Sequence, residues 1–143
     1  MLAKLSEVFF AETLRRYQRE LPPGQTGWLA GARDPAVGRA LTLFHNRHAH
    51  PWTIPELTRE VGVSRTVLSE RFRHFLGEAP MTYLIRWRLQ LGARALMSTT
   101  GSVAQVASDV GYESEAAFNR AFKREYGLPP ARYRKDKAGT YRN

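Results

Sequence analysis

Two stretches decide the fold: residues 54–80, IPELTREVGVSRTVLSERFRHFLGEAP, and residues 103–130, VAQVASDVGYESEAAFNRAFKREYGLPP. Ile54, Leu57, Thr58, Val61 and Gly62 recur as Val103, Val106, Ala107, Val110 and Gly111, an offset of 49. After one extra residue in the turn, Ser64, Leu68, Phe72, Leu76, Gly77 and Pro80 recur as Ser114, Phe118, Phe122, Tyr126, Gly127 and Pro130, an offset of 50. Each copy reads as a short helix, a glycine turn and a longer helix with apolar residues four apart. Gly62 and Gly111 fall where a tight turn asks for positive φ, which a Cβ resists. Thr58 and Ala107 are small where two helices must cross closely. This is the helix-turn-helix pattern. One copy would not separate it from an ordinary helical hairpin; two copies do.

Working outward, the flanking residues punctuate further helices. Asp34 followed by Pro35 is an N-cap with proline at the first helical position, opening a helix through about Arg47. Thr53 to Glu56 and Ser102 to Gln105 have the capping-box spacing, and Ser64 and Ser114 can cap two more helices. Gly77 and Gly127 suit helix ends, and Pro80 and the pair Pro129-Pro130 mark new starts. No segment alternates with the period of a strand before a hairpin turn. The expectation is an all-α chain: two helix-turn-helix subdomains, 34–79 and 99–135, joined by one long central helix, 80–98. An amphipathic helix with a Pro/Gly linker is expected over 1–33, and a disordered tail over 136–143.

Composition narrows the function. The 143 residues carry 22 Lys and Arg against 13 Asp and Glu, a formal net charge of +9. Residues 1–34 hold five basic and four acidic side chains, so nearly all of the excess lies downstream. A polyanion is the partner that such a charge favours. The chain has no cysteine, which removes disulfides, thiolate zinc sites and cysteine nucleophiles. No run approaches the roughly 18 apolar residues of a membrane span. Glu7 and Glu12 interrupt the apolar N-terminus and no small-residue cleavage site follows, so no secretory leader is expected. The expectation is a cytoplasmic chain with no membrane contact, and nucleoid-associated if the polyanion is DNA.

The segment from Trp52 to Tyr133 resembles the DNA-binding region of AraC/XylS-type transcription regulators. The resemblance is carried by Gly111-Tyr112-Glu113-Ser114, Phe118, Arg120, Phe122-Lys123, Gly127 and Pro129-Pro130, and it spans roughly Asp34 to Arg134. It implies two helix-turn-helix units held by one long helix, with both recognition helices in successive major grooves on one face of DNA. Such regulators usually carry a cupin-like effector domain upstream, and 34 residues are too few to contain one. The resemblance further implies transcription regulation, with activation among its modes and RNA polymerase as a candidate partner. The helix at residues 4–20 corresponds to one that sometimes lies at a dimer interface, so a homodimer through it is a further expectation. The alternative is packing of that helix back onto its own chain.

The helical period sorts the two candidate readers. With Leu68, Phe72 and Leu76 inward, Arg65, Thr66, Ser69, Glu70 and Arg73 face out; with Phe118, Phe122 and Tyr126 inward, Glu115, Ala116, Asn119, Arg120 and Lys123 face out. The resemblance supports Thr66, Ser69, Glu70, Glu115, Ala116, Asn119 and Arg120 as base-edge positions. Arg120 suits guanine O6 and N7, and Asn119 suits adenine N6 and N7. Phosphate contacts are expected from Arg65, Arg73, Lys123, Arg124 and the N–H groups at helix starts. The plainer reading of each is a solvated helix face. Arg86, Arg88 and Arg94 have two readings, phosphate contacts or ion pairs with Glu78, Asp109 or Glu113.

In the central helix, Leu84, Trp87, Leu91 and Ala95 form a stripe flanked by Ile85, Leu89 and Leu96, as in a helix buried on most sides. The 17 residues from Met81 to Met97 span roughly 25 Å, which suits readers about one turn of B-DNA apart. His45, His48 and His50 raise a metal site as a rival, but their spacing is poor and no carboxylate is near before Glu56, so no metal or cofactor is expected. No nucleophile elbow, phosphate loop or paired carboxylates point to an enzyme. The alternative within DNA binding is a sequence-independent nucleoid protein, which explains the charge but not two reader helices.

Overall fold

The computed structural model describes residues 26–142, and these are helical without strands. The helices are α1 (Trp28–Arg33), α2 (Pro35–Asn46), α3 (Ile54–Val61), α4 (Arg65–Leu76), α5 (Pro80–Ser98), α6 (Val103–Asp109), α7 (Glu115–Tyr126) and α8 (Pro130–Arg142). The amphipathic helix expected at residues 4–20 lies outside the described residues. The chain divides into two compact units, one of residues 26–47 and 52–83, the other of residues 48–51 and 84–142. Helix α5 is continuous through the division.

Local chemistry starts and stops the helices as their caps dictate. The Asp34 carboxylate accepts from the amides of Ala36 and Val37 at 3.1 and 3.0 Å. Thr53, Ser64, Ser102 and Ser114 each accept from the amide three residues on. Gly77 and Gly127 close α4 and α7 in the left-handed conformation.

In the first unit, Val37, Ala40, Leu41 and Phe44 of α2 are fully buried. The Phe44 ring meets Phe72 of α4, Trp52 and Tyr83, each with centroids 6.3–6.4 Å away. The segment expected to be linker departs from the sequence reading at Trp28–Arg33, which is helical with Ala30, Gly31 and Ala32 buried. Tertiary contacts hold this turn: the Gly27 amide donates to Phe75 O at 2.7 Å and Trp28 Nε1 to Tyr83 Oη at 3.1 Å.

In the second unit, Leu89, Ala93 and Leu96 of α5 pack with Val106, Ala107 and Val110 and with Phe118 and Phe122 of α7. A Cβ at Gly92 would lie 2.9 Å from the Phe118 ring, so α5 and α7 approach closely only because position 92 is bare. The buried stripe of α5 is therefore turned from the one read in sequence. Trp87, Leu91 and Ala95 are half-buried, and Ile85 is 45% exposed, because α6 and α7 cover one side of the helix only. The chain's end also differs, since α8 continues to Arg142 through the stretch expected to be tail. Tyr133 anchors it, with its ring 5.1 Å from Phe122 and 5.6 Å from Tyr126.

Candidate nucleic-acid interface

Each unit presents one helix-turn-helix face, and each is built from its buried side outward. In the first, Leu57 of α3 and Leu68 and Phe72 of α4 are buried, which orients both helices. Gly62 closes α3 at φ +83°, its amide donating to Thr58 O at 2.8 Å. One residue later Ser64 caps α4, so the turn is only as long as the glycine permits. On the outer side of α4, Arg65, Thr66, Glu70 and Arg73 are exposed and Ser69 is partly so. Arg71 lies on another face, 3.4 Å from the Asp34 carboxylate that caps α2.

In the second unit, Val106 and Ala107 of α6 and Phe118 and Phe122 of α7 are buried. The turn is one residue longer. Gly111 sits at φ +101°, and the Tyr112 amide reaches back to Ala107 O at 2.9 Å. The extra residue is used for packing: the Tyr112 ring lies 5.4 Å from Phe118, with its hydroxyl buried and without a hydrogen-bond partner among the described residues. Burial raises the Tyr112 pKa above the ordinary tyrosine value, partly offset by the charges of Arg88 and Arg124. Outside, Glu115, Ala116, Arg120, Lys123 and Arg124 are exposed and Asn119 is partly so. Glu115 lies in the first turn of α7, where a carboxylate also suits the helix dipole.

The structure thus places every expected base-edge and phosphate side chain on the solvent side of its own reader. The two faces correspond position by position at the offset of 50: Arg65 with Glu115, Thr66 with Ala116, Ser69 with Asn119, Glu70 with Arg120, Arg73 with Lys123. The geometry repeats while the chemistry does not.

Three arginines of α5 resolve differently. Arg88 donates from Nε to His48 O and from Nη2 to His50 O, both at 2.7 Å, and burial lowers its pKa while Tyr112 opposes the shift. Its guanidinium also lines the turn, 3.0 Å from where a Cβ on Gly111 would stand, beside the Ala49 backbone. Arg88 is therefore committed to backbone carbonyls. Arg86 Nε lies 3.8 Å from the Glu125 carboxylate, and the Arg94 guanidinium lies 5.9 Å from the Trp87 ring centroid. No sequence signal separates these roles, because carbonyl partners 38 to 40 residues away leave no local pattern. The histidines are dispersed: His45 Nε2 is 2.7 Å from Tyr83 Oη and His48 Nε2 is 3.1 Å from Asp109 O. Among the described residues, no three His, Asp or Glu side chains converge as metal ligands would, and no helix is long and apolar enough to cross a membrane.

Residues 57–136 match a helix-turn-helix domain family. Over 131 residues, 92% of its length, the chain is 44% identical to a protein named as an AraC-like transcription regulator of Streptomyces antibioticus, covering 43% of that protein. It is 32% identical to the regulator AlkR of Acinetobacter baylyi over 91% of this chain and 42% of that one. The chain therefore spans less than half the length of these relatives. Among solved structures, the DNA-binding domain of the global transcriptional factor AdpA, in complex with a target DNA, superposes with a TM-score of 0.69 at 29% identity, covering 75% of this chain and 96% of that one. An AraC-type regulator from Chromobacterium violaceum gives a TM-score of 0.67 at 26% identity, over 73% and 93% of the two chains. With this fold, these paired turns and these relatives, the chain belongs to the AraC-type helix-turn-helix family of DNA-binding domains.

Proposed function

We propose that the chain binds double-stranded DNA sequence-specifically, with α4 and α7 each laid in a major groove, and thereby regulates transcription. The observation that carries this reading is the pair of corresponding faces with unlike side chains. A protein holding DNA by charge alone has no use for Ser69 and Glu70 where its second copy carries Asn119 and Arg120. Thr66, Ser69 and Glu70 then address one half-element and Glu115, Ala116, Asn119 and Arg120 another, each through hydrogen bonds or apolar contact at base edges. Arg65, Arg73, Lys123 and Arg124 neutralise phosphates, and the serine-capped helix starts add backbone N–H groups.

On this reading α5 spaces the two half-elements about one helical turn apart, and a single chain covers both. Because the two faces differ, the half-elements differ in sequence, so the site is not a palindrome. RNA polymerase is a partner of the same reading, as is a second copy of the chain through residues 4–20, and the protein acts at the nucleoid in the cytoplasm. No catalytic step, metal or cofactor enters it.

Selection of bound duplexes from a random pool, followed by footprinting, tests the proposal. The expected result is two unlike protected elements about one turn apart. Salt-sensitive binding that ignores sequence would instead establish the nucleoid-protein alternative.

A further inference from the structure

Helix α5 ends without a glycine cap, and its last carbonyls need partners from elsewhere. The Thr99 amide takes Ala95 O at 3.0 Å. Leu96 O, one residue on, receives Arg134 Nε at 2.8 Å. The same guanidinium gives Nη1 to Gly101 O at 2.6 Å and Nη2 to Thr99 O at 3.4 Å. One side chain from α8 therefore holds the end of α5 and the residues leading to Ser102, whose hydroxyl caps α6. The first unit manages the same junction with another residue. There the carbonyl of Arg47, just past α2, accepts from Trp52 Nε1 at 3.0 Å ahead of α3. Moreover, α8 begins with Pro130 and Tyr133 where α5 begins with Pro80 and Tyr83, and the position matching Arg134 is Leu84, fully buried. Arginine at 134 is thus a departure from the repeat, made where three carbonyls await donors.

We propose that Arg134 is a positioning residue for the second reader. It touches no base; it fixes where α6 starts, and α6 in turn seats α7. Three donors in a rigid fork match three carbonyls in a way that a lysine ammonium on a flexible stem does not. The inference rests on the reading of α7 as a DNA reader, so its test has an arm independent of DNA.

In the full chain, Arg134→Met removes the donors and keeps most of the side-chain length, and Arg134→Lys keeps the charge. Amide exchange is measured first. The expected result for Arg134→Met is exchange about tenfold or more faster at residues 99–106, where the junction loosens, with Phe118 and Phe122 of the same unit still protected. Binding is then measured on the selected duplex and on duplexes varied in the element whose preference Arg120→Ala relaxes. Affinity should fall about 10- to 100-fold, the size of losing one or two good base contacts, and preference at that element should flatten while the other is kept. Arg134→Lys should lie between. Unchanged exchange at 99–106 overturns the proposal, and so does a uniform loss of protection across 84–126 with base preference intact, which marks a general stability role. If the unaltered chain prefers no sequence, the functional reading fails, and the exchange arm still decides whether Arg134 sets the start of α6.

Discussion

The repeat supplies its own control for the cost of a side chain in the helix-turn-helix turn. Gly62 and Gly111 hold corresponding places at φ +83° and +101°, so alanine at either is strained by about 1–2 kcal/mol. Alanine also restricts the unfolded chain, returning about 0.4–1 kcal/mol. Around Gly62 nothing lies within 4 Å of the point where an alanine methyl would stand, so Gly62→Ala should cost about 1 kcal/mol net. At Gly111 the methyl would stand 2.9 Å from the Ala49 Cα and 3.0 Å from the Arg88 Nε. Neither neighbour yields easily, because Ala49 contributes backbone and Arg88 is tied to two carbonyls. Overpacking of that kind adds about 1–3 kcal/mol. Gly111→Ala should therefore cost about 2–4 kcal/mol. Amide exchange at buried residues of each unit measures both costs, Leu57 and Phe72 reporting on Gly62, Val106 and Phe118 on Gly111. At 1.4 kcal/mol per tenfold, the expected acceleration is roughly fivefold for the first and roughly 30- to 1000-fold for the second. Equal effects in the two units would refute the steric part of the reasoning and leave only backbone strain.

Other substitutions test other links. Arg120→Ala should cost about 1–3 kcal/mol on the selected site and relax preference at one base pair, whereas Lys123→Ala should weaken all sequences alike and lower the salt slope by about one unit; titrations on single-base variants at several salt concentrations separate the two. Leu89→Pro, in the middle of α5, removes a backbone donor and should cost roughly 3 kcal/mol or more, with circular dichroism showing lost helix and footprinting the loss of at least one element. Tyr112→Phe removes a buried hydroxyl that has no partner among the described residues and should raise stability by about 1 kcal/mol at neutral pH in urea titrations. Burial raises the pKa of Tyr112 in the fold, so its protonated form is favoured there; that contribution is present below the unfolded value of 10.0 and lost as pH rises through the folded one. The alkaline fall in stability should accordingly be shallower in Tyr112→Phe than in the unaltered chain.

Charge and periodicity act on the candidate interface at different levels. The periodicity decides which side of α4 and α7 is buried, through Leu68, Phe72, Phe118 and Phe122, and so which polar residues are left for a partner. Charge does not discriminate as finely. Of the arginines on α5, one grips backbone carbonyls, one faces a glutamate and one lies beside a tryptophan ring. In sequence these three are indistinguishable members of a basic stretch.

The elements that sequence alone determined are those with short-range causes. A cap oxygen and the amide it serves are three residues apart, a left-handed glycine closes the helix directly before it, and a buried stripe repeats every three or four residues. From such terms the starts of α2, α3, α4, α6 and α7, the ends of α3, α4 and α7, and the two reader faces follow, and the repeat ties one face to the other. Tertiary structure decided what depends on atoms distant along the chain. Trp28–Arg33 is helical because Phe75 O and Tyr83 Oη hold its start, and α8 is seated by Tyr133 against Phe122 and Tyr126. Ile85 is exposed because α6 and α7 cover only one side of α5. Arg88 and Arg134 find carbonyls 33 to 40 residues away. A carbonyl freed at a helix end is not written in any residue type, so the donor that meets it can be identified only once the helices have been brought together.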